Sequence, residues 1–539
     1  MQTLGDFLDE AAARAPDREA LAWAERDAVT ERRTWAELRA ESRLAARVLL
    51  GVGVGKGTRV GLLCPNRPEW LPLAFGALRL GAVLVPFSTL WKREEIAYGL
   101  AHGDVQLLIT RTGFLKHDYL ADLTALVPEL ESTAPGELRV AAFPALRRVI
   151  LLAPGTRRRG GTRGAERWGE LVAAADDAFD DSFLGAVERS VSPTDVATVF
   201  FTSGSTAQAK AVVHAHGALT TSGRRIGESL GVGPDDAWWG HMPLFWSGGF
   251  IIGALSAIAG GGRIVLQEQV DAGSALALLE AERCTIMAGW HQAGPLLEHP
   301  DFGRRRLHLA KGSYHPLAER LLGPDHLSVG MYGMSETATC VACARFDDPP
   351  AVRRETFGRP LPGMDVRIAN PETGLAVEPG AQGEILVKGP TLMEGYYRVP
   401  RAETFDAEGY FRTGDLGWLD PSGYLHFAGR LKDVIKTAGV NVAAAEVEEA
   451  LARHPAVKAA HVVGVPHPTR GENVAAFVVP RSGEAPDPAA LADFVRASLA
   501  SYKVPRHVFV IEETAVPRTA TGKIEKPALR REAERRVQE

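Results

Sequence analysis

The stretch Phe201-Thr-Ser-Gly-Ser-Thr-Ala-Gln-Ala-Lys-Ala211 directly follows the apolar run Val196-Ala-Thr-Val-Phe-Phe201. A strand that breaks into hydroxyls, one glycine and one lysine presents backbone N–H groups and a cation at a tight loop, an arrangement that holds phosphate oxygens. The candidate groups are Thr202, Ser203, Gly204, Ser205, Thr206 and Lys210. Ser/Thr-rich loops after strands also occur with no ligand, so the stretch must be weighed with the rest of the chain.

Upstream, short apolar runs alternate with helical patterns. Thr58-Arg-Val-Gly-Leu-Leu-Cys64 reads as a strand, 70–80 as a helix, Gly81-Ala-Val-Leu-Val-Pro86 and Val105-Gln-Leu-Leu-Ile-Thr110 as further strands. Such alternation predicts β-α-β units on a parallel sheet, and it continues through Gly261-Gly-Arg-Ile-Val-Leu266. The Gly/Arg-rich segment 154–164 reads as a solvated loop. Past Asp365 the strands shorten and glycine becomes frequent, as in Val366-Arg-Ile-Ala369, Gly383-Glu-Ile-Leu-Val-Lys-Gly389 and Tyr424-Leu-His-Phe427, which suits a β-rich subdomain. The texture changes again at Gly429-Arg-Leu-Lys-Asp433: helices are expected at 445–454 and 487–499, and strands at 457–465, 473–479 and 507–512. The expected fold class is α/β, with a large N-terminal domain over 1–429, made of two parallel-rich α/β subdomains plus a β-rich subdomain, and a small α+β C-terminal domain over 430–539.

Composition narrows the function classes. The 539 residues carry 61 basic and 66 acidic side chains, a net charge of −5 that advertises neither a nucleic-acid nor an acidic-membrane partner. With 45% hydrophobic and 24% charged residues the chain is ordinary globular protein. Its start, Met1-Gln-Thr-Leu-Gly-Asp-Phe-Leu-Asp-Glu10, reads as an amphipathic helix rather than a secretory signal, and the apolar stretch 248–266 is broken by a glycine turn, so a cytoplasmic protein is expected. Four cysteines are too few for a disulfide scaffold, and the lone Cys340/Cys343 pair reads as small residues on a buried strand.

Other residues can share a ligand with the hydroxyl loop. Met331-Tyr-Gly-Met-Ser-Glu-Thr337 offers an aromatic face, a hydroxyl and a carboxylate able to ligate Mg²⁺. Asp415 lies on a glycine-flanked turn, where a carboxylate can accept both hydroxyls of a ribose; Arg430 can close on the same ribose, and Lys523 sits on a Thr-Gly loop. Singly, Tyr332 reads as core, Asp415 as a turn cap and Lys523 as a solvated lysine. In this order they read differently: the whole chain resembles the adenylate-forming superfamily of acyl- and aryl-CoA ligases, adenylation domains and luciferases, and looks most like an acyl-CoA synthetase.

That resemblance implies roles. Thr202 to Lys210 form the phosphate loop; Gly312 and Ser313 border the adenine and acyl sites; Tyr332, followed by Gly333, stacks on adenine. Ser335 and Glu336 serve phosphate and Mg²⁺, Asp415 and Arg430 hold the ribose, and Lys523 bridges the acyl carboxylate and the α-phosphate. The C-terminal domain turns about Lys432, bringing Lys436 and Gly439 beside the CoA tunnel. The implied substrates are ATP or a ready-made acyl-adenylate, a carboxylic acid and CoA. A homodimer and a separate adenylating enzyme remain open as partners. In the acyl pocket, His241, Phe245, Trp246, Gly248 and Gly249 match the family segment, with Trp246 where a gating histidine is frequent; an indole with glycines behind it suits a bulky, hydrophobic or aromatic acid. His216 also matches a family position, though such a histidine is commonly a packing or capping residue.

The phosphate loop departs from the family at three places: Ala207 and Ala211 replace glycines, and Ala209 replaces a proline. A Cβ forced to positive φ costs roughly 1–2 kcal/mol, so two readings stand: a complete ligase with a tolerant loop, or an enzyme that only transfers a supplied acyl-adenylate to CoA. An amide ligase and a non-catalytic nucleotide binder are further alternatives. If the loop is degenerate, restoring Ala207→Gly, Ala209→Pro and Ala211→Gly together raises MgATP affinity and pyrophosphate exchange; unchanged exchange would show that the loop is not where adenylation is limited.

Overall fold

The computed structural model describes residues 1–152, 163–175, 179–202, 209–290, 292–437, 440–519 and 522–538. Two compact units emerge: Met1–Asp365 with Lys388–Gly409, and Val366–Val387 with Tyr410–Glu539. Among the described residues no helix is long and apolar enough to cross a membrane.

The first unit is built on two large sheets. One has eight strands, ordered Gly395–Tyr396, Lys210–Ala215, Val196–Thr202, Val83–Pro86, Arg59–Leu63, Leu107–Thr110, Arg148–Leu151 and Ala165–Arg167. From Val196–Thr202 to Ala165–Arg167 every described pairing is parallel, as the β-α-β alternation predicts. Strand Lys210–Ala215 then runs antiparallel to Val196–Thr202, with Thr202 opposite Lys210 and Phe201 opposite Ala211. The hydroxyl stretch therefore connects two antiparallel neighbours. The second sheet has six strands, with Ala237–Gly240 and Arg263–Gln267 at its centre, and carries the apolar cluster of Trp239, Val265, Leu276 and Met287.

Helix ends follow the local chemistry. Thr3 caps Leu4–Arg14 and Thr34 caps Trp35–Gly51, each through the reciprocal bonds of a capping box, with Asp6 and Glu37 as partners. His216 accepts a hydrogen bond at Nδ1 from the Leu4 N–H at 3.2 Å, so it serves as a second cap on the first helix, and burial holds its imidazole down to about 4 and hence neutral. The apolar stretch after Trp246 forms a π-helix, Gly248–Leu255, followed by Ser256–Gly260. Its glycines are required by packing: a Cβ on Gly249 would sit 2.1 Å from the Pro243 carbonyl oxygen, and one on Gly253 2.0 Å from the Trp238 ring.

The second unit contains a four-stranded sheet, ordered Asp365–Ala369, Gly383–Lys388, Phe411–Leu419 and Leu425–Arg430. Its other sheet is built on the long hairpin Val457–His467 and Gly471–Pro480; Val434–Thr437 and the parallel strand His507–Val510 both pair with Gly471–Pro480. Helices Ala444–Ala452 and Pro488–Ser498 lie close to the positions expected from periodicity, and Val447, Leu451, Leu491 and Val495 bury their apolar faces.

Arg79 is the most deeply buried charge in the ion pairs of the first unit's helices, with 1% of its side chain exposed; it donates to Asp9, Glu188 and Ser42 at 3.2, 3.0 and 3.0 Å. Burial tends to raise the Asp9 carboxyl, but Arg79 and Arg39 outweigh it and hold the group below the usual range. Arg79→Met would leave two partly buried carboxylates facing a thioether. Because Arg39 and Arg43 keep one contact to each acid, the expected loss is about 3 kcal/mol, at the lower end for a broken buried pair, read as a lowered midpoint in urea unfolding of the first unit.

Candidate active site

The hairpin sets the first charge. Pairing of Thr202 with Lys210 brings the loop's two ends side by side, and the Thr202 hydroxyl lies 3.4 Å from the Lys210 carbonyl. Ser203, Gly204, Ser205 and Thr206, with Ala207, lie outside the described residues. Tyr98, on helix Arg93–His102, donates its hydroxyl to the Ala209 carbonyl at 2.9 Å; its ring stacks on His102 and meets Phe201 edge-on. Just beyond that tie, the exposed Lys210 ammonium sits 4.5 Å above the centroid of the Tyr396 ring.

The second charge comes from the turn after strand Met331–Tyr332. Gly333 is obligatory there, since a Cβ would fall 2.2 Å from the Thr339 carbonyl oxygen. Ala338 and Thr339 take left-handed φ values of 45° and 73°, a local strain held by the surrounding contacts. Ser335 and Glu336 occupy the single helical turn Ser335–Thr337 that leads into them. His214 Nε2 donates to the Ser335 carbonyl at 2.6 Å; complete burial drives its imidazole down to about 4, so it is a neutral donor. The Ser335 hydroxyl pairs with that of Ser247 at 2.9 Å. Glu336 is gripped twice: the Met393 N–H donates to its carbonyl and the Tyr396 hydroxyl to its Oε1, both at 2.8 Å. Burial and the facing carboxylate push the Tyr396 phenol well above the usual tyrosine range. Tyr332 is buried, its ring edge-on to Phe357 at 6.2 Å between centroids.

The residues anticipated for an acyl pocket lie along the segment 241–249. His241 is buried, stacks on Trp239 at 4.0 Å and sets its two nitrogens 3.2 and 3.1 Å from the Trp239 and Gly289 carbonyl oxygens. Asn66 fixes this segment by donating to the Gly240 and Met242 carbonyls and accepting from the Leu244 N–H, each at 2.9 Å. Phe245 and Trp246 meet edge-on at 5.8 Å. A Cβ on Gly248 would meet only Met242 Sδ at 3.8 Å, in contrast to the crowded Gly249. Gly312 adopts φ 148°, with its missing Cβ 1.7 Å from the Met287 carbonyl oxygen, and Ser313 receives the Trp290 indole N–H at its carbonyl and hydroxyl, at 2.9 and 3.1 Å.

In the second unit, Asp415 and Arg430 are direct cross-strand partners, with Arg430 Nε 2.7 Å from Asp415 Oδ1. Lys432 is exposed in the turn Leu431–Asp433. The Lys436 N–H donates to Glu472 Oε2 at 2.8 Å, and Gly439 lies outside the described residues. Lys523 is exposed on a turn closed by mutual bonds with Thr519 and by Gly522 at φ 81°.

Lys210 and Glu336, both anticipated, thus meet on one ring, and Asp415 meets Arg430. Tyr98, His214 and Tyr396, which hold the hairpin and the Ser335–Thr337 turn, and Asn66, which holds the segment 240–244, carry no local pattern that would single them out.

The family model for AMP-binding enzymes matches residues 8–397, and that for the AMP-binding enzyme C-terminal domain matches 446–523. A methyl-dioxo-octahydroindenyl-propanoyl:CoA ligase of Mycobacterium tuberculosis is 31% identical over 98% of this chain and 99% of its own. Among solved structures, ATP-bound MatB from Rhodopseudomonas palustris superposes with a TM-score of 0.81 at 26% identity, covering 99% of each chain. The amide bond synthetase McbA from Marinactinospora thermotolerans gives 0.78 at 28%, covering 98% of this chain and 99% of its own. The chain belongs to the AMP-binding enzyme family, as an acid–CoA ligase by kinship.

Proposed function

We propose that this protein joins a bulky, hydrophobic or aromatic carboxylic acid to CoA through an acyl-adenylate. The acid's carboxylate attacks the α-phosphorus of ATP and pyrophosphate leaves; the CoA thiol then attacks the acyl carbonyl and AMP leaves. The observation that carries the first half-reaction is the condition of the altered hairpin. Ala211 is 1% exposed within the core cluster and its carbonyl accepts the Tyr397 N–H at 2.8 Å, so its side chain fills core space rather than a ligand's path. The Ala209 carbonyl is restrained by Tyr98. Lys210 and Glu336 both contact Tyr396, one at the ring face and one at the hydroxyl, which supports this reading.

In this reading Lys210 and the loop hydroxyls bind phosphate, Ser335 assists, and Gly312, Ser313, Tyr332 and Gly333 border the base. Asp415 and Arg430 hold the ribose, and Lys523 stabilises charge on the transferred oxygens. Lys432 is the pivot for residues 430–539, and Lys436 and Gly439 border the pantetheine arm. Glu336 fits Mg²⁺: Tyr396 occupies Oε1, which leaves a hard carboxylate oxygen for a metal. Among the described residues no cluster of three or more His, Cys, Asp or Glu forms a cage, so such an ion would keep water and phosphate ligands, as Mg²⁺ does. Bound there, Mg²⁺ neutralises phosphate charge.

Trp246 and the space at Gly248 support the bulky acid. An amine in place of CoA is the second reading, supported by the likeness to an amide bond synthetase, and CoA consumption separates the two.

Each acid of a panel, supplied with MgATP and separately as its preformed adenylate, is expected to give CoA thioester by both routes. Product from the adenylate alone would establish a transfer-only enzyme, and an amide with CoA unconsumed would establish the second reading. Gly248→Leu is expected to lower kcat/KM for the bulkiest accepted acid at least about tenfold while sparing the shortest; an unchanged profile would remove Gly248 from the pocket.

A further inference from the structure

We infer that Tyr396 is a positioning residue for phosphate handling, its ring seating the Lys210 ammonium and its hydroxyl aiming the Glu336 carboxylate. This rests on the adenylating reading above. A lysine and a carboxylate that serve opposite parts of one ligand, phosphate oxygens and a cation, gain nothing from neutralising each other. Tyr396 gives each a different partner: Lys210 lies 4.5 Å over the ring face, and Glu336 Oε1 accepts from the hydroxyl at the ring edge at 2.8 Å. The ring's electron-rich face attracts an ammonium only weakly at an exposed site, so phosphate can draw Lys210 away at small cost. The phenol's hydrogen bond to a carboxylate is the stronger kind and fixes the rotation of Glu336.

The seat is itself rigid. Tyr396 pairs with Val212, two residues beyond Lys210 on the hairpin's second strand, so the ring rides on the element that carries the lysine. The next residue, Tyr397, is bolted down by Arg59 at 3.9 Å over its ring and by its own hydroxyl bond to Asp104 at 2.6 Å, which Arg398 also grips at 2.9 Å. The Met393 N–H holds the Glu336 carbonyl from the same segment. Residues 393–398 therefore carry the registration between the hairpin and the Ser335–Thr337 turn.

Two variants separate the two functions of the ring. Tyr396→Phe keeps the face and loses the hydroxyl; Tyr396→Leu loses both. Equilibrium binding of ATP, measured by calorimetry over a series of Mg²⁺ concentrations, is the primary readout. Tyr396→Phe is expected to raise the half-saturating Mg²⁺ concentration about tenfold while ATP binding without Mg²⁺ stays near wild type; Tyr396→Leu is expected to weaken ATP binding in both conditions. KM for MgATP rises in both variants, whereas kcat for CoA transfer from preformed adenylate remains within about twofold, which general loosening of the fold would not allow. A wild-type Mg²⁺ dependence in a folded Tyr396→Phe protein overturns the role, and so does an equal loss in adenylate transfer. If the wild-type protein itself binds no MgATP yet transfers from the adenylate, the adenylating reading falls and this role falls with it.

Discussion

The antiparallel pairing of Val196–Thr202 with Lys210–Ala215 is the constraint on which the candidate site depends. A parallel neighbour would require a crossover of a dozen residues or more and would carry the next charge to the far end of the sheet. A hairpin instead returns the chain at once, so Thr202 and Lys210 face each other at one end of the sheet. The same second strand continues outward to pair with Gly395–Tyr396, and this brings in the ring that bridges to Glu336. One change of strand direction thereby gathers residues from three distant stretches of chain.

This arrangement also bears on the three alanines. Glycine in a phosphate loop gives conformational freedom and close approach; alanine at the same place costs strain only where φ must be positive or where the methyl points at a ligand. Neither penalty applies at 211, where the residue is regular strand and its methyl is core. At 209 the loss of a rigid ring is offset by a tie from outside the hairpin, the Tyr98 hydroxyl. The local rule and the tertiary context point in different directions, and context has more contacts with which to decide the outcome.

That difference explains what could be read in the chain and what could not. The parallel strands and the helix–strand order of the C-terminal part follow from periodicity and neighbouring residues, so the runs at 457–465 and 473–479 were legible. The hydroxyl loop, Glu336 and the Asp415 turn carry their chemistry in adjacent residues and were legible as candidates. Tyr396, Tyr98 and His214 act on partners 60, 111 and 121 positions away, and a tyrosine after a glycine or a histidine in a valine strand says nothing locally about such partners. The π-helix Gly248–Leu255 was hidden for a related reason: its glycines answer to Pro243 and Trp238, not to a local turn signal.

Electrostatics gives these remote residues a common logic. A site for a polyanion and a cation must keep its own opposite charges from cancelling, and it must do so without burying an unpaired ion. Around Glu336 the groups that fix the backbone are neutral: His214 is uncharged through burial, and the Met393 amide and the Tyr396 phenol carry no charge of their own. Neutral donors orient the carboxylate yet leave its charge uncompensated for a ligand. Ion pairs of the same unit serve the scaffold instead: Arg79 lies deep among Asp9 and Glu188, and Arg398 grips Asp104 behind the Tyr396 segment, where mutual neutralisation stabilises packing. The division between paired charges in the scaffold and charges held by neutral partners at the site is what makes Lys210 and Glu336 available together.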